Sequence, residues 1–140
     1  MNRFFVVVAI FIAASTITAC SSGGSGFSAD LGAVGTDQGS IAHDAISGNS
    51  SGDFTALGSD CNRLLADVGK LQSDSVPSYY TSTMQTELSN MESDNTQGAN
   101  DCVQAVNSND QTTLAAAVQL FSAASTQENQ LTSQLNSMAK

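Results

Sequence analysis

Apolar residues recur along most of this chain at steps of three and four, the spacing that lines one face of an α-helix. The pattern is clearest at Phe54, Leu57, Cys61, Leu64, Val68 and Leu71, with Leu65 widening the stripe. It predicts a helix that ends near Gln72 and is capped at its start by Ser51 or Asp53, whose oxygens can accept orphan backbone N–H bonds. Upstream, Phe27, Leu31, Val34, Ile41 and Ala45 predict a helix over about 29–47. Gln38 fills an apolar slot of that helix, and Gly32, Gly35 and Gly39 weaken it by up to ~1 kcal/mol each. Residues 48–52 read as a turn.

A third helix is expected from Pro77, which suits a first helical turn, because Val76 before it is held extended. It carries Tyr80, Met84, Leu88, Met91, Ala99, Cys102 and Val106, and its polar middle, 92–100, is expected to be the weakest part of the structure. Residues 108–111 have the spacing of a capping box. They open a fourth helix through Leu114, Ala117, Val118, Phe121, Ala124, Leu131, Leu135 and Met138. Glu128 breaks that stripe, which places it near an open end of the core or on a rotated face. The expected fold is an all-α, up-down bundle of about four helices. Asp53-Phe-Thr-Ala-Leu57 and Asp110-Gln-Thr-Thr-Leu114 echo each other, through duplication of a hairpin or through shared capping chemistry.

The start of the chain follows another pattern. One charge, Arg3, precedes eleven apolar residues, 4–14. A membrane-spanning helix needs about 20, so this run fits a secretory leader. Ile17, Thr18, Ala19 and Cys20 follow in the order aliphatic, hydroxyl, small, cysteine. The stretch resembles the lipobox of bacterial lipoproteins. The resemblance implies cleavage before Cys20, diacylglycerol on its sulfur, and further acylation of the palmitate kind. The competing reading is an ordinary leader with a chance cysteine. Two acyl chains anchor stably where one holds only marginally. Residues 1–19 thus read as signal peptide, 20–28 as a Ser/Gly-rich tether and 29–140 as the bundle domain. The expected location is extracytoplasmic, lipid-anchored to a bacterial membrane.

Cleavage would leave Arg63, Lys70 and Lys140 against thirteen acids, three cations minus thirteen anions, a formal charge of −10. That balance repels phosphate backbones and gains nothing from anionic lipid, so no nucleic-acid partner is expected. With Cys20 lipidated, Cys61 and Cys102 remain, and an even pair in an exported chain reads as a disulfide between the second and third helices. Zinc is the alternative, but it needs about four ligands and His43 is the one histidine. With the third helix starting at Pro77 the two cysteines sit unevenly, by roughly 5–8 Å after the connector is extended.

Ten of the thirteen acids fall on seven-residue series: Asp30, Asp37, Asp44; Asp53, Asp60, Asp67, Asp74; and Glu87, Asp94, Asp101. They read as the solvated flank of a bundle, with Arg63 placed to pair with Asp67 and Lys70 with Asp74. The functional alternative is an acidic stripe for cations or a basic partner.

Chemistry for catalysis is sparse. His43 and Asp44 are helix neighbours expected to point apart, Met84 and Met91 read as packing before haem or copper ligation, and no phosphate loop or nucleophile elbow occurs. No catalytic residue, metal ligand or cofactor is assigned. Beyond the lipobox, the layout of Cys61 on a Leu-rich helix, a Pro77 connector, Cys102 and a polar turn at Asp110 resembles small actinobacterial helical-bundle lipoproteins of unknown function. The expectation is a non-catalytic envelope protein, held to the membrane through Cys20, that binds an envelope protein or supports an assembly. The alternative is a small-ligand carrier with a pocket inside the bundle.

Overall fold

The computed structural model describes residues 25–138. Four helices follow one another: α1 (Ser25–Ser51), α2 (Thr55–Ser73), α3 (Ser82–Ser108) and α4 (Gln111–Met138). Short connections make successive helices antiparallel, and the neighbours α1/α2, α2/α3 and α3/α4 pack along their lengths, while α1 and α4 approach only briefly. The architecture is the expected all-α, up-down bundle.

One contiguous core joins the apolar stripes of all four helices. Leu31, Val34 and Ile41 of α1 meet Leu57, Leu64, Val68 and Leu71 of α2, Met84, Leu88 and Met91 of α3, and Phe121 and Leu131 of α4. Fully burying a side chain of this size is worth ~1.5–3 kcal/mol, so these stripes outweigh the poor helix propensity of α1.

The helix limits differ from expectation where tertiary packing intervenes. α1 begins at Ser25, inside the stretch read as tether, because Phe27 is drawn into the core edge-on to Tyr80, ring centroids 5.5 Å apart. It also continues through the expected turn to Ser51 and ends at Gly52, whose φ of 80° favours glycine. Gly48 lies against the Phe54 ring, where a Cβ would come 2.5 Å from the ring carbon.

α3 starts five residues after Pro77. A turn closed by the Tyr80 N–H to the Pro77 carbonyl, at 3.0 Å, intervenes, and Thr81 accepts the Met84 N–H as the cap. α3 runs unbroken through its polar middle, where Gly98 leaves room for the Phe121 ring. Between α3 and α4 the cap is Asp110, whose Oδ1 accepts the N–H groups of Thr112 and Thr113. Ser108, expected to cap, is the last residue of α3 and donates back to Gln104. Asp53 accepts the Thr55 N–H in the same way, at the same 2.9 Å as Asp110 and Thr112. Shared capping chemistry therefore accounts for the echo between the two sites.

Candidate functional site

Cys61 and Cys102 form the disulfide, joining α2 to α3 at a Cα separation of 6.3 Å with neither residue exposed. The later start of α3 brings them level. From Cys61 to the end of α2 is ~18 Å of helix and from Ser82 to Cys102 is ~30 Å. The eight-residue connector 74–81 makes up the difference. The bond closes a loop with sequence separation 41, which the chain-entropy account values at ~4 kcal/mol. Cys20 lies outside the described residues.

The acidic series are placed differently from a solvated flank. Those of α1 and α2 face each other across the seam in three layers. Asp30 meets Asp74, Asp37 meets Asp67, and Asp44 meets Asp60, carboxyl to carboxyl within hydrogen-bonding reach. Two cations interleave with them. Arg63 bridges Asp37 and Asp60, and Lys70 holds Asp67. These are not the expected partners, since the cations reach back three residues and across the seam rather than forward four.

Asp37, Asp60 and Asp67 are all buried. Burial pushes Asp37 up, with Arg63 opposing and Asp67 reinforcing, while hydrogen bonding to Lys70 pulls Asp67 down against its burial. The proton of that pair therefore favours Asp37. Burial likewise raises Asp60, with Arg63 opposing and Asp44 adding, and burial with Asp30 raises Asp74. The third series lines the α3/α4 seam and pairs with amides: Gln127 donates to Asp94, and Gln134 to Glu87.

A second polar group lies inside the bundle. Gln38 of α1 donates to Asn95 of α3 at 2.9 Å, and both are fully buried. The remaining polar atoms of that pair, Gln38 Oε1 and Asn95 Nδ2, have no hydrogen-bond partner among the described residues. Glu128 is neither at an open end nor on a rotated face. It is 6% exposed in the body of α4, its Oε1 2.6 Å from where a Cβ on Gly35 would stand. Burial raises its carboxyl to about 7. Gly35 thus provides the space on α1 that a carboxyl on α4 occupies. Gln38 and Glu128 were visible in the sequence as polar residues in apolar slots. Nothing in the sequence marked Asn95 or Gly35 as their partners.

The other candidate residues scatter. His43 is exposed, and contrary to expectation its Nδ1 does reach Asp44 Oδ1, at 2.9 Å. Met84 and Met91 are packed in the core. Among the described residues no three His, Cys, Asp or Glu side chains converge to hold a metal ion, and no helix is long and apolar enough to cross a membrane. Two surface hollows, of about 510 and 460 Å³, are polar and open. The first is lined by Gln72 and by α3 residues from Ser89 to Asn100, the second by α4 residues from Asn129 to Ser137. Neither reaches the apolar core that a carrier would use. No protein-family profile, curated protein or solved structure matches this chain.

Proposed function

We propose that this protein is a non-catalytic lipoprotein of the bacterial cell envelope, anchored through Cys20, whose helical domain acts as a binding or structural module for another envelope protein. The observation that carries the reading is the pairing of the cysteines. The chain has three, and Cys61 and Cys102 are joined in the core. That leaves Cys20 as the one remaining thiol, in a stretch that resembles a lipobox. A buried disulfide that welds two helices suits an oxidising compartment, and the lipobox gives the route to it.

The domain's polar chemistry is directed inward. Arg63 and Lys70 are bound by the domain's own carboxylates, and the aspartates of α1 face those of α2 and its C-cap across the seam. Such groups fix helix register and leave little that would bind or turn over a substrate. Expression of the full chain in a bacterial host, followed by membrane fractionation, tests the reading. The native protein should sediment with membranes and partition into detergent, and Cys20→Ala should release it. Membrane association that survives Cys20→Ala with the leader removed would refute the anchor.

A further inference from the structure

The two ends of the bundle differ in charge and in exposed apolar surface. One end gathers the start of α1, the α2–α3 connector, the start of α3 and the end of α4. Four large apolar side chains are conspicuously exposed among the described residues: Val76 at 43%, Tyr79 at 49%, Met138 at 47% and Ile46 at 57%. Three of them, Val76, Tyr79 and Met138, lie at this end, and Ile46 lies at the other. This end is also sparsely charged. Residues 25–29, 75–86 and 129–138 contain no Asp, Glu, Lys, Arg or His; the nearest charges are Asp74, which lies beside Gly26, and Asp30 facing it, with Lys70, Glu87 and Glu128 further along the helices and Lys140 two residues past Met138 in the sequence. The opposite end carries His43, Asp44, Asp53 and Asp110 around its two turns.

We propose that this sparsely charged end, with Val76 and Tyr79 of the α2–α3 connector foremost, rests in the interfacial zone of a zwitterionic lipid bilayer. The inference rests on the anchoring of Cys20. From Cys20 to Ser25 the chain reaches at most ~18 Å. The bundle axis is longer, because the 27 residues of α3 span ~40 Å. The start of α1, and the connector packed on it through Phe27 and Tyr80, is therefore the end kept near the bilayer.

Tyrosine places an apolar ring and a polar hydroxyl across a membrane–water boundary. From Ser75 to Thr81 the connector offers its partly exposed side chains without a charge to desolvate. Three such side chains would not hold a free protein on a membrane, but a short tether supplies a high effective concentration. The acidic remainder of the domain is repelled by anionic lipid, which sets a neutral headgroup as the partner.

The chain contains no tryptophan, so a single one reports cleanly. The full lipidated protein carrying Tyr79→Trp, and separately Ile46→Trp, is placed in phosphatidylcholine vesicles with and without shallow brominated chains. Val76→Trp serves as a second reporter if Tyr79→Trp loses helical signal. Trp emission at 79 or 76 should be quenched about twofold by the brominated lipid, while emission at 46 is unchanged. Flotation of the same samples separates the two readings. Protein that floats with no quenching at 79 and 76, or with equal quenching at 46, overturns the proposed orientation and leaves the anchor standing. Protein that does not float overturns the anchor and the orientation with it.

Discussion

The α1/α2 seam and the α3/α4 seam carry acids at the same seven-residue period but solve the burial of those acids differently. Between α1 and α2, carboxyls face carboxyls, and Arg63 and Lys70 hold the layers together. Between α3 and α4, carboxylates accept hydrogen bonds from the amides of Gln127 and Gln134. The first arrangement depends on which carboxyls hold protons, because like charges at close range cannot all ionise cheaply. The second does not, since an amide donates to a carboxylate at any ordinary pH. The facing carboxyls of the α1/α2 seam should therefore feel acidity, while the amide pairs of the α3/α4 seam should not. The disulfide joins them, and the Gln38–Asn95 contact crosses between α1 and α3.

The largest effect should come from uncoupling the hairpins. Replacing both cysteines, Cys61→Ala with Cys102→Ala, removes the loop constraint and should cost ~4 kcal/mol, measured by urea unfolding at pH 7. Without the bond, hydrogen exchange should show the α1/α2 and α3/α4 hairpins opening separately.

Glu128 is next. Its folded-state pKa, about 7, lies above the ordinary 4.5. The folded state therefore binds the proton more tightly, and stability falls as pH rises from about 4.5 towards 7 and stays reduced above. Glu128→Gln removes the ionisation and should stabilise the protein by on the order of 2–3 kcal/mol at pH 8, with little change at pH 4. Thermal melts at the two pH values check the sign.

Two smaller effects separate the seams. Arg63→Gln removes the bridge between Asp37 and Asp60 and should lower the melting temperature at pH 7, since it leaves two buried carboxyls without their cation. Both acids have raised pKa values, so the loss should shrink as they protonate on acidification. Gln127→Ala, which removes the amide donated to Asp94, should cost about 1 kcal/mol, unchanged between pH 5 and 8. Equal pH dependence for Arg63→Gln and Gln127→Ala would show that the two seams do not differ in how they hold their acids.

The apolar stripes were legible because burial acts on each helix alone. Leu57, Cys61, Leu64, Val68 and Leu71 are the buried face of α2 as their spacing required. The partners of polar residues were harder to read. Periodicity places Asp30, Asp37 and Asp44 on one flank of a helix but cannot say whether that flank meets water or another helix. A usable signal was present, since the α2 series Asp60, Asp67, Asp74 runs antiparallel to the α1 series at the same period. Glu128 was misplaced for a related reason, because the space that admits it belongs to Gly35 on a distant helix. The start of α3 was misread because Pro77 suits a helical first turn locally, while burial of Tyr80 against Phe27 draws the connector into a separate turn. Of the candidate site residues, the Cys61–Cys102 pair was readable from cysteine number and the leader-like start of the chain, and Gln38–Asn95 was not.

On the proposed reading Cys20 carries the anchor while the other two cysteines are joined. Intact mass of protein purified from membranes, with and without reduction followed by alkylation, tests both halves at once. The expected result is the mass of residues 20–140 plus lipid, with two alkylated thiols appearing only after reduction. An unlipidated chain, or thiols that alkylate without reduction, would contradict it.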